Sequence, residues 1–146
     1  MRAAALALVP LLALAGCGGG GEKPAATPSA DPTVNAQACR AFNSGIALLG
    51  KVLAENPPPP LLVVTVAPQA KERVSTAAQL AMGEMRAAME RTATLIQILH
   101  DAERGWTQQT ADGFPDDEQV AAVKAQILTV SGLCSKAGVR MANAPR

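Results

Sequence analysis

Apolar side chains recur at alternating steps of three and four along three stretches of this chain, and that spacing constrains its fold more than any other feature. Such steps keep successive side chains on one face of an α-helix, whereas a half-buried strand needs a step of two. Cys39, Phe42, Ile46, Leu49 and Leu53 form the first stripe. Val74, Ala78, Ala81, Met85, Ala88, Thr92, Leu95 and Leu99 form the second. Val120, Val123, Ile127, Val130, Cys134, Ala137 and Met141 form the third. Helices are predicted from about Thr33 to Glu55, from Pro68 to Arg104 and from Asp116 to Arg140.

Composition points the same way. Apolar residues make up 49% of the 146 positions, enough for one domain with its own core. Aromatics are only 2%, namely Phe42, Trp106 and Phe114, so the core must be built from Ala, Leu, Val, Ile and Met. Those residues suit closely packed helices better than a sandwich of sheets. The four prolines at 57–60 end the first helix, and Gly105 is expected to end the second. Pro115 followed by Asp116, Asp117 and Glu118 reads as the start of the third, with acids at the positive end of the helix dipole. Gly45, Gly50 and Gly83 are weak points inside helical patterns. "LLVVTVA" at 61–67 is short and β-branched, so alone it reads as a strand, but no second strand exists to pair with it. It is expected to be an extended apolar crossover or a frayed helical turn. No internal repeat is visible.

The N-terminus carries a different signal. Met1-Arg2 is followed by an apolar run, Ala3 to Ala15, broken only by Pro10. A helix that spans a bilayer needs roughly 20 such residues, so this run is too short and has the length of a signal-peptide core. It ends in Leu14-Ala15-Gly16-Cys17. An aliphatic residue, two small residues and a cysteine in that order resemble the lipobox of bacterial prolipoproteins. The resemblance implies that residues 1–16 are a cleaved signal peptide and that Cys17 carries a diacylglyceryl group through its sulfur. It also implies an extracytoplasmic domain held at the outer face of the cell membrane. Residues 17–33 then read as a lipidated cysteine and tether, glycine-rich and then rich in Pro, Ala and Thr, and 34–142 as the folded domain. The alanine-rich composition is similar to that of small helical lipoproteins of high-GC Gram-positive bacteria.

With Cys17 assigned to lipid, Cys39 and Cys134 remain. An even number of cysteines in an extracytoplasmic chain suggests a disulfide, and the alternative is a pair of buried free thiols. A bridge would require their α-carbons to approach within about 7 Å. Cys39 is near the start of the first helix and Cys134 near the end of the last, so the chain must cross the bundle an even number of times. Three helices alone cross an odd number of times. The fold expected is therefore an all-α antiparallel bundle stapled by one disulfide. It has either three long helices with 56–67 crossing in extended form, or four helices with a break near Gly83. The extended crossover is preferred, because a single glycine is short for a helical reversal.

Little else suggests chemistry. His100 is the only histidine and one imidazole does not make a usual zinc site. Asp112, Asp116, Asp117 and Glu118 do not have the spacing of a calcium loop. Met82, Met85 and Met89 share helical spacing and could line a flexible apolar pocket, although an adaptable core is the plainer reading. Trp106 is expected in a loop. No nucleophile elbow, phosphate loop, dinucleotide fingerprint or zinc-protease helix is present. Basic residues number 13 and acidic 12, so bulk charge does not suggest nucleic-acid binding. The expectation is a non-enzymatic surface module that contacts an envelope protein, with no catalytic residues, no metal and no cofactor beyond the lipid on Cys17. The alternatives are a binding protein for a small apolar ligand and a prophage-type surface lipoprotein that blocks phage entry.

Overall fold

The computed structural model describes residues 32–109 and 117–145. They form five helices: α1 (Pro32–Gly45), α2 (Ala47–Leu53), α3 (Pro60–Leu80), α4 (Gly83–Gln109) and α5 (Asp117–Lys136). No strand occurs among the described residues. The first two helices are one rod with an irregular residue at Ile46. The Ile46 N–H donates to Phe42 O at 3.0 Å and the Gly50 N–H to Ile46 O at 2.7 Å, so the i→i−4 ladder runs through the joint. This rod matches the first expected helix, and Cys39, Phe42, Ile46, Leu49 and Leu53 are all fully buried.

The segment at 61–67 is neither extended nor frayed, contrary to the preferred expectation. It forms the first two turns of α3. Pro59 is the N-cap, in extended backbone, and Pro60 takes the first helical position, where a missing N–H costs nothing. The proline run thus ends one helix and starts the next. Val63, Val66, Ala67, Ala70, Val74, Ala77 and Ala78 are buried along one face of α3. Their spacing is helical, and burial of that face outweighs the modest reluctance of β-branched residues to enter helices. Pro68 is not at a helix start. It lies inside α3 on the exposed side, where a proline removes one ladder hydrogen bond and normally costs about 3 kcal/mol.

The break near Gly83 is real, and it gives the four-rod topology. Ala81 leaves the helical well at φ −83°, ψ 161°, and Gly83 opens α4 at φ 59°. A side chain at that positive φ would crowd its own carbonyl, so glycine makes this two-residue reversal possible. Neighbours complete the turn. The Met82 N–H donates to Asn35 Oδ1 of α1 at 2.9 Å. Arg86 reaches back from α4 and donates to Ala81 O at 2.9 Å and to Gln79 O at 3.2 Å. A guanidinium there satisfies carbonyls at the negative end of α3.

Adjacent rods run antiparallel. Lys71 Nζ of α3 donates to Gln97 Oε1 of α4 at 2.8 Å, and Gln126 Nε2 of α5 donates to Ala88 O of α4 at 3.1 Å. The buried residues of α4 are Met85, Met89, Thr92, Ala93, Ile96, Leu99 and Glu103, a stripe slightly rotated from the one expected, with Ala88 and Leu95 half-buried. α5 stops at Lys136, short of the expected Arg140. The Gly138 N–H donates to Ser135 O at 3.0 Å and the Val139 N–H to Cys134 O at 2.9 Å, with Gly138 at φ 78°. That pair of bonds is the Schellman closure of a helix C-terminus. Residues 137–145 then fold back as a tail towards α2.

Candidate functional site

The even number of crossings brings Cys39 of α1 and Cys134 of α5 together as a disulfide, with α-carbons 5.6 Å apart. Both cysteines are fully buried. The thioether sulfur of Met85 lies 3.8 Å from Cys39 Sγ and 3.9 Å from Cys134 Sγ. Bridged sulfurs carry no proton, so these are packing contacts between polarisable atoms rather than hydrogen bonds. Met85 thus covers the bridge from the α4 side.

The three methionines do not converge on one cavity. Met89 is fully buried in the core, while Met82 is 40% exposed at the α3–α4 turn. Met82 and Met85 border a cavity of about 260 Å³ with Pro32, Asn35, Leu133 and Lys136, and Met89 is not part of its wall.

His100 belongs to a polar chain along the α3–α4 seam. Its Nδ1 lies 3.0 Å from Asp101 Oδ1. Gln97 Nε2 donates to the same oxygen at 2.7 Å, and Gln97 Oε1 accepts from Lys71 Nζ. The Gln97 hydrogen bond, then that of His100, holds the Asp101 carboxyl below the ordinary aspartate value. This chain ties two helices together on the surface, next to a cavity of about 420 Å³ whose wall carries both Lys71 and Glu90.

Leu14, Ala15, Gly16 and Cys17 lie outside the described residues, as do Asp112 and Asp116. Asp117 opens α5 and Glu118 follows it in the first turn. Trp106 is in α4 and not in a loop, because the helix continues through Gly105 to Gln109. Among the described residues no three His, Cys, Asp or Glu side chains gather as metal ligands, and no helix is long and apolar enough to cross a membrane.

A third cavity, of about 400 Å³, escaped sequence reasoning altogether. It lies between α2, α5 and the tail, with Lys51 and Lys124 in its wall beside Leu53, Ala54, Ala142 and Pro145. Asn143 holds the tail in place. Its N–H donates to Asn43 Oδ1 at 3.1 Å and its Nδ2 to Asn43 O at 3.0 Å. Gly50 permits the approach, since a β-carbon there would lie 2.7 Å from Asn143 O. These contacts join positions 100 residues apart, and no local pattern announces them. No protein-family model matches the chain, and neither the curated proteins nor the solved structures compared with it contain a match.

Proposed function

We propose that this chain is a lipid-anchored extracytoplasmic module, tethered through Cys17 and acting by contact with an envelope protein rather than by catalysis. Leu14-Ala15-Gly16-Cys17 after a short apolar run is the observation that carries the reading. The Cys39–Cys134 bridge supports it, since stable disulfides belong to oxidising compartments and cytosolic ones are rare. Each acyl methylene contributes about 0.8 kcal/mol to membrane retention, so the two chains of a diacylglyceryl group anchor a domain firmly. A contact surface is supported at the α2–α3 end, where Leu48, Leu61 and Leu62 are exposed, Leu61 to 71%. That end is the far end of the α1–α2 rod from Pro32, where the tether would join. A domain held at Pro32 would present those leucines away from the anchor.

The test is Cys17→Ala in a bacterium that processes prolipoproteins. Fatty-acid labelling and membrane retention of the mature protein should both be lost. Unchanged labelling, or a mature N-terminus elsewhere than Cys17 by mass spectrometry, would refute the reading.

A further inference from the structure

We propose that the cavity between α2, α5 and the C-terminal tail binds a phosphate ester. The ammonium groups of Lys51 and Lys124 hold the phosphate, and the apolar wall takes the group esterified to it.

Charge makes the first argument. Lys51 sits in the last turn of α2 and Lys124 on α5, and both line the cavity. Among the described residues no carboxylate lines it and neither lysine makes an ion pair. Two ammonium groups match a dianion; a single carboxylate would leave one of them unmatched. Lysine recognises phosphate as a point charge with three donors and needs no planar partner. The Gly50, Lys51 and Val52 carbonyls at the end of α2 already accept from the Ala54 and Glu55 N–H groups, so the Lys51 ammonium is not needed to satisfy them.

The charge of the elements that border the cavity adds to this. α1, α2, α5 and the tail carry Arg40, Lys51, Lys124, Lys136 and Arg140 against Asp117 and Glu118, with Glu55 just past α2. By contrast α3 and α4 balance five acids against five bases: Glu72, Glu84, Glu90, Asp101 and Glu103 against Lys71, Arg73, Arg86, Arg91 and Arg104. The excess of positive charge on these elements is modest, and Lys51 and Lys124 are the part of it that lines the cavity. Such a field raises the local concentration of anions and steers their approach.

Shape makes the second argument. About 400 Å³ is within the range of small-ligand sites and leaves room beyond a phosphate for an organic group. Leu53, Ala54, Ala142 and Pro145 offer that group an apolar surface. The tail that forms one wall is clamped by the Asn43–Asn143 pair, so the cavity exists before a ligand arrives and little ordering is required on binding.

A phosphate ester can be a soluble metabolite or a lipid headgroup, and the experiment separates the two. The isotopically labelled full chain is titrated with phenyl phosphate, sn-glycerol 3-phosphate and benzyl alcohol and followed by amide NMR. It is also floated with vesicles of phosphatidic acid, whose headgroup is a phosphate monoester, and of phosphatidylcholine. Phenyl phosphate should saturate shifts at Lys51, Ala54, Lys124 and Ala144 with a Kd of about 1 mM or tighter, while benzyl alcohol gives none. Lys51→Gln with Lys124→Gln should weaken that binding at least about tenfold while the melting temperature stays the same. Saturation by sn-glycerol 3-phosphate without preference for phosphatidic acid vesicles identifies a soluble ester. A preference for those vesicles that the double variant loses identifies a headgroup. If phenyl phosphate gives no saturable shift at these residues, or binds the double variant equally well, the proposal is overturned.

Discussion

Removing the disulfide should bring this domain close to its folding threshold. Cys39→Ala with Cys134→Ala opens a loop whose ends are 95 residues apart, nearly the whole folded region. In the chain-entropy model a loop of that length contributes about 4.7 kcal/mol at 25 °C, because the unfolded ensemble of the bridged chain is so much smaller. Two buried sulfurs packed on Met85 are lost as well, which adds roughly 1–2 kcal/mol at a site that cannot fully collapse. Small domains are stable by only about 5–15 kcal/mol, so the variant keeps a fraction of the original stability. For a domain of this size 1 kcal/mol corresponds to about 4 °C, and the melting temperature should fall by about 20 °C. Urea unfolding of the oxidised parent and the double variant measures the difference. The variant should also show a larger m-value, since its unfolded chain is more expanded. Because both cysteines are fully buried, dithiothreitol should reduce the parent only as fast as the domain opens, and urea should accelerate the reaction. A loss below about 1 kcal/mol, or rapid reduction under native conditions, would refute this reasoning.

Two further outcomes test the local arguments. Gly83→Ala places a β-carbon at φ 59° and should destabilise the domain by about 1 kcal/mol by urea titration, with Gly83→Asn costing less; equal stability of the alanine variant would mean that the reversal does not need a left-handed residue. Asp101 has a folded pKa below its unfolded value, so its contribution is present above the unfolded value and is lost as pH falls through the folded one. Asp101→Asn should therefore shrink the acid-side fall of the stability curve, and a carboxyl titration midpoint at or above the ordinary aspartate value in the parent would contradict it.

The sequence by itself determined the helical class, the α1–α2 rod and most of the buried stripes. Each of these follows from a local period that any helix must obey: Cys39 through Leu53 and Val120 through Cys134 lie inside as their spacing requires. It also constrained topology, because a bridge between Cys39 and Cys134 demands an even number of crossings. How the chain makes the even crossing was decided by tertiary structure. Val63, Val66, Ala67 and Ala70 have helical spacing, but the neighbouring β-branched run and Pro68 argue locally against a helix. Only the apolar face offered by α1, α2 and α4 favours it, and burial there exceeds the local preferences. The reversal at Ala81–Gly83 likewise draws on Asn35 and Arg86, which are remote or on the next helix. The cavity beside Lys51 and Lys124 lay furthest from sequence reasoning. Two isolated lysines 73 positions apart carry no pattern. They share a wall because the last helix descends beside the first and Asn143 pins the tail across Gly50, contacts that exist only once the bundle has closed.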